Sequence, residues 1–249
     1  MFILFLQNRQ NRARIPAQTL RNMTSEKLFT LPDSLKQFAP FFKSSDAPWL
    51  WVQNIKKALE SVDFSQLENK KDIPAGVKIE GKVFIHPTVK LPPYAHIVGP
   101  AWIGAGTEVR IGCFVRGNVI VGENCVMGNS CEYKNSLLLD NVQTPHYNYV
   151  GDSVLGNRSH LGAGVICANL RIDKKDISLR LPEGSVETGM RKLGLILGDE
   201  AEIGCNSVLQ PGTILMKRAV VLSCPFGGYL EENTMAAPTP SIRKIRRLS

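Results

Sequence analysis

The chain has 249 residues, 43% of them apolar, which is enough for a sizeable core in one or two domains of a soluble protein. A net charge of +8 points to nucleic acid until it is located: Arg9, Arg12, Arg14 and Arg21 lie near the start, Arg243, Lys244, Arg246 and Arg247 near the end, and everything between is neutral. The body therefore has no charge excess for a polyanion, and no specific nucleic-acid partner is expected.

The opening "MFILFLQNRQNRARIP" has about five apolar residues where a membrane span needs roughly 20, and its basic residues follow the apolar run, so neither a span nor a secretory signal is expected. Met23 precedes "TSEKLFTLPDSL" and is a candidate start, which would leave 1–22 as a basic disordered tail outside the mature chain. Over 23–72, "PDSLKQFAPFFK" and "DAPWLWVQNIKKALESVD" read as two amphipathic helices, the second with Asp46 as N-cap and Pro48 in its first turn. They are expected to cap the first coil of a repeating region downstream; a partner-binding arm is the alternative.

From Ile79 an apolar residue recurs every six positions: Ile85, Leu91, Ile97, Ile103, Val109, Val115, Val121, Met127, Tyr133 and Leu139. The series resumes at Tyr149, Leu155, Leu161 and Cys167 after a step of ten, and again at Leu197, Ile203, Leu209, Leu215 and Val221. Four positions after the repeating residue there is nearly always a small or β-branched one, such as Cys113, Val119, Cys125 and Ser159. Two inward positions per six residues describe a short strand and a turn, and three such units make a triangular coil of 18 residues. The spacing predicts an all-β fold, a parallel β-helix over 73–230 with an excursion over 176–193 that turns at Pro182-Glu183-Gly184, followed by a basic C-terminal tail over 231–249. The cysteines fall mostly in inward slots, with no metal-ligand spacing, so unpaired thiols in a reducing cytoplasm are expected rather than disulfides or zinc.

The irregular stretch 140–149 reads as the place where the coil releases side chains for chemistry, and His146 is the chief candidate for a general base. Arg116 and Lys134 lie one coil apart and should stack, a pair of cations whose repulsion a bound phosphate would relieve; a solvated charged face is the rival reading. Glu132 should point the same way as Lys134 and could pair with a cation or orient a histidine.

The run "VRGNVIVGENCVMGNSCEYKNS … TPHYNYVGDSVLGNRSHLGAGVICANLRIDKK" resembles the acetyltransferase half of the bifunctional bacterial and archaeal enzymes that make UDP-N-acetylglucosamine, and the insertion ending "ETGMRKLGLILGD" resembles their archaeal-type branch. The resemblance carries an Arg, a Glu-x-Lys, a His-x-x-Tyr-[aliphatic]-Gly-Asp, a Gly-Ala-Gly-x-x-x-x-Asn and a later Lys, here Arg116, Glu132 with Lys134, His146 with Tyr149, Gly162 to Gly164 with Asn169, and Lys175. It implies a left-handed coil of hexapeptide repeats and a homotrimer with sites between subunits. It also implies acetyl transfer from acetyl-CoA, with no metal, to the amine of glucosamine 1-phosphate or galactosamine 1-phosphate.

On that likeness His146 is the base and Glu132 its orienting carboxylate; Arg116, Lys134 and Lys175 hold the phosphate; Tyr149, Asn169 and His160 position the sugar; Ala163, Gly164 and Cys205 line the coenzyme groove. His160, Leu170 and Cys205 depart from the residues common in that family, which bears on sugar selectivity and the coenzyme contacts. The nucleotidyltransferase half of those enzymes does not fit in the first 72 residues, so uridylyl transfer is not expected. Two further readings remain: a non-catalytic sugar-phosphate-binding or assembly module, and a metal-dependent carbonic anhydrase, for which His86, His96, His146 and His160 lack the close ligand pair.

Overall fold

A computed structural model describes residues 23–239 of the chain. From Gly76 onward the backbone winds as a parallel β-helix whose successive short strands visit three sheets in turn. The first face has seven strands, from Gly76–Glu80 to Val208–Leu209; the second has eight, from Val83–Ile85 to Tyr229–Leu230; the third has seven, from Glu108–Val109 to Met235–Ala236. The last strand, Met235–Ala236, pairs with Val220–Val221, so the coil runs past residue 230, where the sequence pattern placed its end. The remaining basic ends, 1–22 and 240–249, lie outside the described residues.

Corners between faces carry the left-handed backbone that lets a three-residue strand turn sharply. Asn118, Asn124, Asn135, Asn141 and Asp152 have φ between 48° and 60°, as expected of the side chains that best tolerate that region after glycine. The core inside the coil is one column of aliphatic and thiol groups, among them Ile85, Ile97, Ile103, Val115, Val121, Leu161 and Leu197. Cys113, Cys125, Cys131 and Cys167 are buried in it, and burial pushes the Cys125 and Cys167 thiols up to about 12.

The structure corrects the reading of 140–149. Strand Gln143–His146 is in register with Val126–Asn129, so the coil does not break there. Instead the step between inward residues shortens to five twice, from Tyr133 to Leu138 and from Val150 to Leu155, with Thr144 filling the rung between at full burial. Leu139 therefore packs outside the coil, and Tyr149 faces outward beside the inward Val150. Thr144 is accommodated because its hydroxyl lies 2.6 Å from the Tyr133 hydroxyl and donates to the Val126 carbonyl at 2.8 Å.

A second core lies against the outer side of the second face, where Phe84, Trp102, Ile120, Leu137, Val154, Ile196 and Ile214 follow one another up the stack. The N-terminal segment covers it: a 3-10 helix Asp33–Phe38 and helix α1, Pro48–Glu60, bury Leu35, Phe38, Trp51, Val52, Ile55 and Leu59 there. This segment packs along a side, not over an end, contrary to the expected cap on the first coil; the apolar surface needing cover is the second face. The start of that face is closed by Asn69, whose side chain donates to the Val83 carbonyl at 2.8 Å and accepts from the Ile85 N–H at 2.7 Å in place of a strand.

Asp46 is not the N-cap; Ala47 is, without a side-chain bond, and Pro48 opens the helix, while the Asp46 carbonyl accepts from the Ser25 N–H at 2.8 Å. The excursion leaves the coil after Ile166–Cys167 and rejoins it at Leu195–Leu197. Its antiparallel hairpin, Ser178–Leu181 with Gly184–Glu187, turns at Pro182 and Glu183 and lays Leu179 and Val186 on the second core. Among the described residues no helix is long and apolar enough to cross a membrane.

Candidate functional site

Outward positions of the first face stack Phe114, Glu132, Tyr149, Ile166 and Val208 in one row, with Arg116, Lys134 and Gly151 in the next. Arg116 donates to the Glu132 carboxylate at 2.5 Å, and that carboxylate raises the guanidinium above its already high value. Lys134 donates to both oxygens of Asp152, at 3.0 and 2.9 Å. The stacked cations expected to repel each other are thus each matched by a carboxylate, one from the adjacent strand and one from the next corner.

Asp152 is the centre of this cluster. Its side chain is only 5% exposed, it sits in the left-handed region at φ 50°, and it also accepts from Asn135 Nδ2 at 2.9 Å and from Asn169 Nδ2. Asn169 Nδ2 further donates to the Tyr149 hydroxyl at 3.2 Å; burial raises the Tyr149 phenol, and the Asn169 hydrogen bond opposes that. The backbone must pass beneath this pair as glycine: a Cβ on Gly151 would lie 2.6 Å from the Tyr149 hydroxyl and 2.8 Å from Asn169 Nδ2. Asp152 and Gly151 stand in the quoted motif but were not among the expected site residues; an acid following a glycine at a coil corner was the available signal.

Of the other expected residues, His146, Ala163, Gly164 and Cys205 fall on the corner between the third and first faces. His146 ends strand Gln143–His146, and its carbonyl accepts from the Gly164 N–H at 3.0 Å, while the Ala163 carbonyl accepts from the Asn206 N–H at 2.8 Å. His146, Ala163 and Cys205 thus hold equivalent places in three successive coils. The His146 ring is exposed, 6.5 Å from the Tyr147 ring centroid, and makes no side-chain hydrogen bond among the described residues.

Glu132 pairs with Arg116 and does not orient the imidazole, and strand Tyr149–Gly151 separates His146 from Asp152, Lys134 and Asn169. His160 lies exposed on the third face between Gln143 and Glu202, and Lys175 lies in the exposed segment before the hairpin, its N–H donating to Asp173 at 3.3 Å. Cys205 is an exposed thiol, and a Cβ on Gly162 in the preceding coil would lie 2.6 Å from the Cys205 nitrogen. Among the described residues no group of three His, Cys, Asp or Glu side chains converges as a metal site.

A charged and hydroxyl-bearing cluster thus lies at one edge of the first face, and the exposed His146 imidazole lies at the corner with the third face, in line with Ala163 and Cys205. A family model described as the GMPPB C-terminal domain matches residues 97–226, about half of the chain. A bifunctional sugar-1-phosphate nucleotidylyltransferase/acetyltransferase of Sulfurisphaera tokodaii is 33% identical over 71% of this chain and 43% of its own length. The bifunctional protein GlmU of Methanococcus aeolicus is 36% identical over 57% of this chain and 34% of its own. The chain spans less than half the length of these curated relatives. Among solved structures, the polysialic acid O-acetyltransferase OatWY aligns at a TM-score of 0.31 and 14% identity, over 69% of this chain and 90% of that one.

Proposed function

The chain belongs to the GMPPB C-terminal-domain family, and on that premise we propose that it transfers an acetyl group from acetyl-CoA to the amine of a hexosamine 1-phosphate, glucosamine 1-phosphate or its galactosamine epimer. The observation that carries the reading is the hydrogen-bonded cluster of Arg116, Lys134, Tyr149, Asp152 and Asn169, across one strand from an unencumbered imidazole. Lys134 and Arg116 supply cations to a sugar phosphate, and the Tyr149 hydroxyl and Asn169 amide supply hydrogen bonds to the sugar.

A sugar ammonium has no lone pair, so it first gives one proton to solvent, and His146 takes the second proton from the amine nitrogen as that nitrogen attacks the thioester carbonyl of acetyl-CoA. The tetrahedral intermediate collapses to the amide, the coenzyme thiolate leaves, and the thiolate is protonated from the imidazolium. Direct attack with both substrates bound needs no acyl-enzyme, in keeping with buried thiols held in their neutral form. A homotrimer that sets one copy's first face against its neighbour would close the cluster and the imidazole into one site, and unpaired thiols fit a cytoplasmic setting.

A second reading, a non-catalytic sugar-phosphate-binding or assembly module, is favoured by two features: both cations are already carboxylate-paired, and the His146 ring has no orienting partner among the described residues. Thiol release from acetyl-CoA with glucosamine 1-phosphate, galactosamine 1-phosphate and free glucosamine decides between them. Release that requires the 1-phosphate and is lost in His146→Ala supports the transferase; binding of the sugar phosphate without release supports the module.

A further inference from the structure

We propose that Asp152 is the positioning residue of the acceptor pocket: its buried carboxylate clamps the Lys134 ammonium and turns the Asn169 carboxamide so that the amide oxygen is the atom left for an incoming sugar. The inference rests on the acetyl-transfer reading of the same pocket.

An ionised carboxylate only accepts hydrogen bonds, and Asp152 accepts from three side chains at once: Lys134, Asn135 and Asn169. Asn169 must therefore offer its NH2 group to Asp152, and the same nitrogen reaches the Tyr149 hydroxyl oxygen. The reversed amide would set its oxygen against a carboxylate and leave the Asp152 oxygen short of a donor. With Nδ2 committed, Asn169 Oδ1 makes no hydrogen bond among the described residues and is free to accept.

The Tyr149 phenol accepts from Asn169 and so keeps its own proton to donate. Lys134, with two N–H bonds directed to Asp152, retains a third, and its side chain is 26% exposed. The pocket thus presents one acceptor, one neutral donor and one cationic donor with fixed polarity. That set suits a ligand carrying a hydroxyl or ammonium donor beside an anion, and Asp152 alone fixes all three by touching Lys134 and Asn169 and, through Asn169, Tyr149. It reaches the ligand only through these neighbours.

The test compares steady-state kinetics of the full chain as wild type, Asp152→Asn, and the exchange Asp152→Asn with Asn169→Asp. Asp152→Asn is expected to lower kcat/KM for the hexosamine 1-phosphate by about 10- to 100-fold, with a raised KM for that substrate and an unmoved KM for acetyl-CoA. The exchange rebuilds an amide–carboxylate pair and restores Tm, but turns a carboxylate toward the sugar, so activity stays as low as in the single variant. It also carries the test if the single variant does not fold.

Unchanged kinetics in Asp152→Asn, a loss that moves both KM values equally, or recovery of activity in the exchange would overturn the inference while leaving the transferase standing. A wild type that neither releases thiol nor binds a hexosamine 1-phosphate by calorimetry would instead overturn the transferase reading and this inference with it.

Discussion

The first and second faces of the coil share one interior and differ in a single outward residue per strand. On the second face that residue is Phe84, Trp102, Ile120, Leu137, Val154, Ile196 or Ile214, so the strand is apolar on both sides and must be covered, as parallel strands between two layers are. On the first face the equivalent row is His96, Phe114, Glu132, Tyr149, Ile166 and Val208, flanked by Arg116 and Lys134, and within the described residues no segment packs over it. A solenoid can thus bury one side and leave another open without altering its coil. Inward residues make the fold, and outward ones decide whether a face is covered or left open.

If that division holds, damage to the second face should cost stability and spare the chemistry. Trp51 is 1% exposed, stacks near Phe29 and Phe42 with ring centroids 5.2 and 5.4 Å away, and donates its indole N–H to the Lys43 carbonyl at 3.0 Å. Trp51→Ala should lower the unfolding free energy by about 3–5 kcal/mol in urea titrations, while kcat per folded molecule stays near wild type. A fall in kcat of the folded fraction would break the comparison, because it would tie the covering segment to the site.

The converse variant is His146→Ala. The ring is exposed and unbonded among the described residues, so its removal should leave Tm within about a degree. Loss of a general base should reduce acetyl transfer by about 10²- to 10⁴-fold. Thiol-release rates at saturating substrates check it; a residual rate within about threefold of wild type would remove His146 from the mechanism.

The coil itself was legible because one inward residue every six is a signal no helix or flat sheet produces. Its register between 133 and 155 was not, since Leu138 and Leu139 are adjacent and apolar and Tyr149 and Val150 likewise; only pairing shows that Leu138 and Val150 face inward. The covered flank is written in the sequence as a large apolar residue in the middle of every third strand, at 84, 102 and 120, next to the inward rungs at 85, 103 and 121. Motif spacing brought Arg116, Glu132, Lys134, Tyr149 and Asn169 to one face. It could not show that Glu132 serves Arg116 or that Asp152 gathers Lys134 and Asn169, because side-chain pairing across coils is set by the corner geometry.

Between the two faces lies the interior they share, and Tyr133 measures how polar it can be. Its hydroxyl accepts from the Gly128 N–H at 3.2 Å and pairs with Thr144. Tyr133→Phe strands a buried N–H and should cost about 1–3 kcal/mol. Tyr133→Phe combined with Thr144→Val should not recover this, because the Gly128 N–H remains unpaired. Full recovery in the double variant would mean that the Tyr–Thr pair, not the glycine N–H, sets the cost.

The smallest expected effect concerns how the covering segment is fastened at the corner between the second and third faces. Asp199 accepts there from the Thr30 N–H at 3.0 Å, from the Asn157 N–H at 2.7 Å and from Asn157 Nδ2 at 2.8 Å. Desolvation raises its carboxyl above the usual 3.8, outweighing these three hydrogen bonds and the distant Lys217 charge that lower it. A folded carboxyl that holds its proton more tightly than the unfolded one makes the folded state bind more protons between the two values, so its contribution to stability is greatest below 3.8 and falls as pH rises through the raised value.

This opposes the usual loss of stability in acid. Asp199→Asn removes the titration, so the difference in unfolding free energy between wild type and variant, measured by urea titration at a series of acidic pH values, should shrink steadily as pH rises through that window and then level off. A difference that grows with pH instead would mean that the hydrogen bonds from Thr30 and Asn157 hold the carboxylate ionised, and that the covering segment is fastened to the coil by charge.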